Sequence, residues 1–304
     1  MTGCAPETSR PTAGMITAVV LVNRLLPGEH GLMRLKVGKS IAQRVLPGQF
    51  AQLVCDPGLT LPRPFSLLDA DGEAGTVDIL YRIVGTGTSR MARWQGGEEI
   101  RILLPLGRPF DWPAARSNVL LIGGGVGLAP LHFLAKRLVE RGQGAVLAWG
   151  IETEAPLMTI DARLDGFPLP VPFVEAPRAL AALDAIGVSS RLASLTPIPG
   201  RFQGYVTELA ECYLVEISEA ERARTMIYAC GPTPMLKAVR GLAVKFGLGG
   251  QVSLEERMAC GFGVCAACVA PIRVKEDGGE RSHYKKICTE GPVFEIGDVA
   301  WERY

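Results

Sequence analysis

The chain has 304 residues, enough for two or three domains of about 100 to 150 residues each. Its 32 lysines and arginines nearly balance 31 aspartates and glutamates, which argues against partners such as nucleic acid or an anionic membrane. No stretch approaches the ~20 apolar residues of a membrane span. Residues 1–15 are polar and lack the apolar core of a signal peptide, so we predict a flexible tail there and a cytoplasmic location.

Short β-type runs dominate the first third of the chain. They cover residues 16–26, 31–37, 49–55, 76–84 and 99–106, and turn signals rich in proline and glycine separate them. No long helical period interrupts the runs, a pattern typical of an antiparallel sandwich or barrel of about 100 residues. We therefore predict an antiparallel β-barrel domain over 16–113.

Two segments of this barrel carry groups suited to an anionic cofactor. In Arg63-Pro64-Phe65-Ser66, the guanidinium can make a paired contact with pyrophosphate, and the serine would place a hydroxyl near a bound ring. Backbone amides around Gly87 and Thr88 can complete an anion site. The four-residue string alone also fits an ordinary turn. Its position ahead of the next two motifs favours the cofactor interpretation.

A strand, a glycine-rich turn and a helix follow, in the order of a dinucleotide-binding domain. The apolar run 117–122 leads to Gly123, Gly124, Gly125 and Gly127, and an amphipathic helix is predicted over 129–141. The amino terminus of that helix would face a pyrophosphate. The G-x-G-x-x-G fingerprint is not satisfied, and a tight packing turn without nucleotide is the alternative. We predict an α/β doubly wound NAD-binding domain over 114–250, with these glycines as contacts.

Later segments of this domain also bear on the nucleotide. The strand 145–150 precedes Glu152 and Glu154, and an acidic residue there can bind a ribose hydroxyl, which favours NAD over NADP. The strand 225–229 delivers Cys230-Gly-Pro-Thr-Pro-Met235 and a helix to residue 246. Cys230 fits either a small buried residue or a positioning residue, since hydride transfer between cofactors needs no protein acid or base.

The remaining segment, 251–304, carries four cysteines in a spacing that indicates an iron–sulfur cluster. The pattern C-x4-C-x2-C, followed after nineteen intervening residues by a fourth cysteine, is the plant-type arrangement of a 2Fe–2S cluster. Gly261 and Gly263 would permit the positive φ angles of a loop wrapped around a cluster. The predicted metal ligands are Cys260, Cys265, Cys268 and Cys288.

Zinc and disulfides are the alternatives for these cysteines. Structural zinc usually takes two ligand pairs, whereas three of these cysteines share one loop. Disulfides suit neither this crowded loop nor a chain without a secretory signal. Cys4, Cys55 and Cys212 have no partner spacing and are interpreted as structural or incidental.

Taken in order, the motifs resemble the ferredoxin reductase superfamily. The ending Cys288-Thr-Glu-Gly-Pro-Val-Phe294 most resembles the electron-transfer subunits of two-subunit, NAD-linked dihydroorotate dehydrogenases, and the likeness extends over 16–299. It implies FAD, a 2Fe–2S cluster and NAD as cofactors. The implied flavin contacts are Arg63, Pro64, Phe65, Ser66, Leu80, Tyr81, Arg82, Gly87 and Thr88. The implied contacts beside the nicotinamide are Gly231, Pro232 and Met235, with Cys230 in a positioning role.

The same resemblance implies a function in pyrimidine biosynthesis. Electrons would pass from dihydroorotate through the FMN of a separate catalytic subunit, then through the cluster and FAD, to NAD. The chain should be inert toward dihydroorotate alone and should form a heterotetramer with that subunit. A reductase subunit of a bifurcating or sulfide-linked complex and a non-enzymatic zinc-binding module are the alternatives. Two segments depart from the family pattern, 176–200 and 275–283.

Overall fold

A computed structural model describes residues 13–56, 58–115, 117–169, 176–276 and 279–304. Most of the predicted tail, including Cys4, lies outside these residues. The part of the tail that is described already belongs to the first strand, which begins at Gly14. This strand therefore starts two residues earlier than predicted.

The first sheet has seven strands, and every pairing in it is antiparallel. Its strands are β1 (Gly14–Leu26), β2 (His30–Lys36), β3 (Phe50–Leu53), β4 (Arg63–Ser66), β5 (Asp69–Asp71), β6 (Thr76–Arg82) and β7 (Glu99–Leu106), with helices α1 (Lys39–Ala42) and α2 (Thr86–Met91) between them. In β7, Ile100, Ile102 and Leu104 are buried while Glu99 and Arg101 are exposed. This alternation is what makes the segment a half-buried strand.

The sheet curls until its two ends meet. Its order is β4-β3-β7-β1-β2-β6-β5, yet Phe65 of the edge strand β4 stacks edge to face on Tyr81 of β6 at 6.3 Å between ring centroids. Side chains such as Val20, Leu35 and Ile79 fill the interior. The predicted antiparallel barrel is confirmed.

The two flavin motifs lie on a strand and at the start of a helix. Residues 63–66 are not an ordinary turn but strand β4, whose Ser66 and Arg63 pair with Phe50 and Leu53 of β3. An edge strand accommodates Pro64 because the missing N–H can face away from the ladder. Gly87 and Thr88, whose backbone amides are candidates for an anion site, lie in the first turn of α2, and Gly85 is the N-cap of this helix.

The second sheet is mixed and is covered on both faces. The elements of this part of the chain are β8 (Asn118–Gly124), α3 (Leu128–Glu140), β9 (Val146–Gly150), β10 (Thr159–Asp161), β11 (Arg178–Leu180), α4 (Ala181–Asp184), β12 (Ser189–Ser194), β13 (Phe202–Gln203), α5 (Val206–Glu216), α6 (Glu219–Arg222), β14 (Thr225–Cys230), α7 (Thr233–Phe246) and β15 (Gly249–Ser253). Of these strands, β10 and β11 pair with each other in a separate two-stranded sheet. The strand order β13-β12-β9-β8-β14-β15 is parallel. Helices α3 and α4 pack on one face and α5 and α7 on the other, which confirms the doubly wound prediction.

The motif-free segment 176–200 proves to be structured. It contains β11, α4 and β12, and β12 is an inner strand of the sheet between β9 and β13. Every residue of β12 is buried although four of its six residues are polar. That polar composition concealed the strand from a hydrophobic pattern.

The carboxyl-terminal segment is joined to the second sheet. Strands β16 (Val269–Glu276) and β17 (Gly279–Lys286) form a hairpin, helix α8 (Ile287–Glu290) follows, and β18 (Val293–Glu295) pairs antiparallel with β15. Part of the insertion 275–283, namely residues 277 and 278, lies outside the described residues. The proposed domain division at 250/251 falls within β15, and the division stays a prediction. Among the described helices, none combines the length and apolar character needed to cross a bilayer.

Candidate functional site

A cavity of about 1070 Å³ opens between the barrel, the second sheet and the segment that leads to the cysteine loop. It exceeds the roughly 300–1,000 Å³ of an ordinary small-molecule pocket, so a dinucleotide has room. All nine predicted flavin contacts line this cavity, namely Arg63, Pro64, Phe65, Ser66, Leu80, Tyr81, Arg82, Gly87 and Thr88. The structure thus brings together two segments that are some fifteen residues apart in sequence.

Arg63 and the first turn of α2 form the polar end of the cavity. The Arg63 guanidinium is oriented by its own backbone, because Nη1 donates to the Leu61 carbonyl at 2.7 Å. A Cβ built on Gly87 would stand 3.5 Å from Arg63 Cγ, so the arginine lies along the helix start. First-turn amides have no acceptor within their own helix. A guanidinium beside such amides is well suited to a pyrophosphate.

The side chains of Thr88 and Tyr81 form hydrogen bonds within the protein. The Thr88 hydroxyl accepts the Val84 N–H at 3.0 Å and donates to the Gly85 carbonyl at 3.1 Å, which shapes the start of α2. The Tyr81 ring is buried in the barrel core, and its hydroxyl donates to Asn23 Oδ1 at 3.0 Å. A cofactor would therefore meet mainly the backbone of these two residues.

The glycine turn packs directly on the Cys-Gly-Pro turn. A Cβ on Gly124 would lie 2.7 Å from Met235 Sδ, and one on Gly127 would lie 2.3 Å from the Cys230 carbonyl oxygen. A Cβ on Gly231 would also strike Met235, at 2.7 Å. Close packing therefore accounts for these glycines whether or not a nucleotide binds.

Gly125 has a different reason to be glycine. Its φ is +53°, a left-handed conformation, and among the described residues beyond its chain neighbours no heavy atom lies within 4 Å of the position that a Cβ would take. The Trp149 indole N–H donates to its carbonyl at 3.0 Å and fixes the turn from β9. Neighbours of the predicted NAD contacts, Val126 and Thr233, line the same cavity. The two turns therefore adjoin the flavin side, and their contacts with NAD stay predictions.

Glu152, the candidate for a ribose hydroxyl, already has protein partners. Its carboxylate accepts the Leu195 N–H at 3.0 Å and lies 3.4 Å from the Ser194 hydroxyl, which ties the end of β9 to the end of β12. A ribose contact would have to use the remaining lone pairs of this carboxylate. The preference for NAD that Glu152 suggests stays a prediction.

Sequence reasoning missed Ser253 and Glu255, which line the cavity beside Cys230. Cys230 is fully buried, and its Sγ lies 3.9 Å from Glu255 Oε1. Glu255 lines the open cavity, yet the surrounding protein desolvates its carboxyl. This desolvation raises the pKa of the carboxyl above its ordinary value. Burial also raises the pKa of the Cys230 thiol. The topology could have indicated these residues, because β15 ends at the same edge of the sheet as β14.

The cysteine loop has the backbone geometry of a cluster-binding loop. Gly261, Gly263 and Ala266 have φ angles of +78°, +89° and +53°. The Cys265 N–H donates to Cys260 Sγ at 3.5 Å. Burial opposes the charged form of Cys260, but amide hydrogen bonds from the loop outweigh it and lower the pKa of this thiol to about 6.

The hairpin brings the other two candidate ligands together. The Ile287 N–H donates to the Cys268 carbonyl at 2.7 Å, which sets the buried Cys268 beside the buried Cys288. Burial and the neighbouring Cys268 raise the pKa of Cys288 to about 12. Amides directed at thiol sulfur, left-handed loop residues and two paired thiols fit a 2Fe–2S cluster. In the described part of the chain, no three His, Cys, Asp or Glu side chains converge on a single metal ion.

The fold is of the ferredoxin reductase type, a barrel followed by a doubly wound domain, with a carboxyl-terminal segment whose cysteines fit an iron–sulfur cluster. The solved NADH-dependent reduced ferredoxin-NADP oxidoreductase shares this fold, with a TM-score of 0.73 at 23% identity over 94% of this chain and 90% of that one. A cytochrome P450 reductase from Amycolatopsis gives a TM-score of 0.60 at 21% identity, covering 81% of this chain and 69% of that one. These likenesses establish the architecture alone.

Sequence similarity identifies the family. Residues 255–300 match the iron–sulfur cluster binding domain of dihydroorotate dehydrogenase B. The electron transfer subunit of dihydroorotate dehydrogenase B (NAD(+)) from Shouchella clausii is 34% identical over 266 residues, covering 86% of this chain and 89% of that protein. The subunit of the same name from Bacillus caldolyticus is 36% identical over 269 residues, covering 86% of this chain and 90% of that protein. The chain belongs to the family of dihydroorotate dehydrogenase B electron transfer subunits.

Family membership confirms several predictions at once. The chain is a subunit of an NAD-linked oxidoreductase, and FAD, a 2Fe–2S cluster and NAD are the cofactors of its class. The name of the family also implies a catalytic partner subunit. The individual contact residues stay predictions.

Proposed function

We propose that this chain carries electrons between the FMN of a catalytic partner and NAD during oxidation of dihydroorotate to orotate, as part of a cytoplasmic heterotetramer. One observation carries the proposal. A single cavity is lined by the nine candidate flavin contacts, by neighbours of both nucleotide turns, and by residues 253–258, which run directly into Cys260. Three cofactor sites are therefore contiguous in one protein.

The residues around this cavity would bind and orient the cofactors and exclude water from them. Bound FAD would exchange a hydride with the nicotinamide and single electrons with the cluster, so no side chain has to act as acid or base. Arg63 and the start of α2 would hold the flavin pyrophosphate, and the Ser66 hydroxyl would face the ring. The close contact between Gly127 and Cys230 would hold the two nucleotide turns together beside the nicotinamide. Behind the cavity wall, the buried Cys230 thiol lies 3.9 Å from the carboxylate of Glu255, which lines the cavity.

Cofactor content and partner dependence test this proposal. The purified chain should contain FAD and about two irons with acid-labile sulfide, and it should reduce an artificial dye with NADH. Cys268→Ser should lose the cluster and its electron paramagnetic resonance signal but keep flavin-dependent dye reduction. Cys212→Ser is the matched control, because Cys212 lies on α5 and does not line the cavity. This variant should keep both the cluster and dye reduction.

Dihydroorotate oxidation should appear only when an FMN-bearing catalytic subunit is added to the wild-type chain. Oxidation by the chain alone, or a colourless protein without iron and flavin, would contradict the proposal. Affinity purification from the source cells separates the alternative, since a bifurcating or sulfide-linked complex would yield a larger flavin and iron–sulfur partner in place of the FMN subunit.

A further inference from the structure

Gln52 is a buried amide that faces the cysteine loop from the barrel. It lies in β3, where it pairs with Pro64 of the flavin-binding strand β4, and only 1% of it is exposed. Ala51 and Leu53 point into the barrel core, whereas Phe50 packs in the core that contains Cys268 and Cys288. Because side chains alternate along a strand, Gln52 leaves the barrel on the same side as Phe50.

The Gln52 amide brackets one candidate cluster ligand. Its Nε2 donates a long hydrogen bond of 3.4 Å to the Ala259 carbonyl, on one side of Cys260. On the other side, a Cβ built on Gly261 would lie only 2.3 Å from Gln52 Oε1 and 2.7 Å from Nε2. The amide therefore lies against the backbone of residues 259–261, and a side chain at position 261 would displace it.

Within the described residues, the Gln52 amide is satisfied at its nitrogen but not at its oxygen. Among the described residues, none donates a hydrogen bond to the buried Gln52 Oε1. An unpaired buried acceptor is destabilising, and methionine or leucine would fill similar space without it. Packing alone therefore does not account for glutamine at this position. The contact of the polar amide with the backbone of residues 259–261 accounts for the glutamine instead.

We infer that Gln52 is a positioning residue that holds the cluster loop in register with the flavin-binding strand and thereby tunes the cluster and its electron exchange with the flavin. The inference rests on the proposed function, because it requires a cluster at Cys260. Its physical basis is that hydrogen bonding and local dipoles around the ligand sulfurs set the potential of an iron–sulfur cluster. Gln52 supplies the amide dipole that spans from β3 to the ligand loop, 207 residues away in sequence.

The test compares Gln52→Met with Gln49→Met. Gln49 is also a buried glutamine near β3, but its amide accepts the Leu46 N–H and donates to the Gly107 carbonyl, so its hydrogen bonds go to residues of the barrel domain. Both variants would be prepared with FAD and cluster, and the resonance spectrum and redox midpoint of the reduced cluster would be recorded. Rapid mixing with NADH would separate flavin reduction from cluster reduction.

For Gln52→Met we expect altered g-values and a shifted midpoint. Flavin reduction should stay within twofold of wild type, while cluster reduction should slow by about fivefold, the factor that corresponds to one net hydrogen bond of roughly 1 kcal/mol. Gln49→Met should match wild type in all three. Loss of the cluster from Gln52→Met alone would also support the inference, because it means that the loop is no longer held.

Two results would overturn it. One is a Gln52→Met protein whose spectrum, midpoint and cluster reduction match wild type. The other is loss of the cluster from both variants, which would make the effect one of barrel packing. Failure of the proposed function would appear differently, as a wild-type protein without flavin or cluster.

Discussion

The glycine turn offers a sharp test because alanine should be damaging at one of its glycines and tolerated at another. Gly127 has φ −61° and ψ −9°, a conformation open to any residue, so its backbone does not require glycine. Its constraint is spatial, since an added Cβ would stand 2.3 Å from the Cys230 carbonyl oxygen and 2.6 Å from the carbonyl carbon. Both obstacles are backbone atoms that no rotamer change can move. Gly127→Ala must therefore push the two turns apart by roughly 1 Å to restore ordinary contact.

The cost can be worked from that displacement. Overpacking of this kind lowers the free energy of unfolding by about 1–3 kcal/mol. A displacement of ~1 Å at a binding site can reduce kcat/KM by up to about a hundredfold, and we expect a fall of at least about tenfold for NADH. FAD and cluster contents should be unchanged, because the atoms that obstruct the new Cβ belong to Cys230 and Gly231 and not to Arg63 or a candidate cluster ligand.

Gly123→Ala is the matched control in the same turn. Its Cβ would meet the flexible end of Leu131 at 3.4 Å, an ordinary contact, so stability should change by no more than about 0.5 kcal/mol. Thermal unfolding and the KM for NADH in dye reduction check both variants. The reasoning is refuted if Gly127→Ala keeps wild-type kcat/KM for NADH, or if the two variants behave alike.

Three further predictions concern the flavin end, the nucleotide turn and pH. Arg63→Met should weaken FAD binding by about 1.5–3 kcal/mol, measured by flavin release on dilution, because it removes a charged hydrogen-bond donor from the cavity; Arg90→Met, which removes a partly exposed ion pair with Asp56, should not. Trp149→Phe deletes the indole N–H that fixes the Gly125 carbonyl and should lower the free energy of unfolding by about 1 kcal/mol in urea titrations, with a higher KM for NADH; an unchanged KM would separate the turn from NADH binding. Burial lowers the pKa of His132 from its ordinary 6.5, so the unfolded chain binds more protons and the free energy of unfolding should fall as pH drops below about 6.5; His132→Asn should flatten that slope, and an unaltered slope would exclude His132 as its source.

Elements with a clear hydrophobic period could be predicted from the sequence. The bounds of β7, residues 99–106, were predicted as they occur, because Ile100, Ile102 and Leu104 alternate with charged neighbours. Strand β12 escaped prediction because Ser189, Ser190 and Ser194 are buried without being apolar. Their burial depends on neighbouring strands in the sheet, which a local pattern does not contain.

The candidate sites divide in the same way. The cysteines and the Arg63 to Ser66 segment could be chosen from spacing and resemblance, because their chemistry is local in sequence. Glu255 could not, since its importance comes from Cys230, which another strand places 3.9 Å from it. The contact between Gln52 and Ala259 is more distant still, and no pattern within either segment indicates it.

The pairing of β18 with β15 has a consequence for exchange of parts between relatives. Strand β18 follows Cys288 by five residues and completes the dinucleotide sheet, and Cys288 itself belongs to the apolar core beneath that sheet. The family match begins only at residue 255, after β15 has ended. In a chimera joined at that point, a β18 from one relative would have to pair with a β15 from another. The side chains of the two strands would then not be matched for packing. A chimera should therefore take β15 and all the residues after it from the same relative.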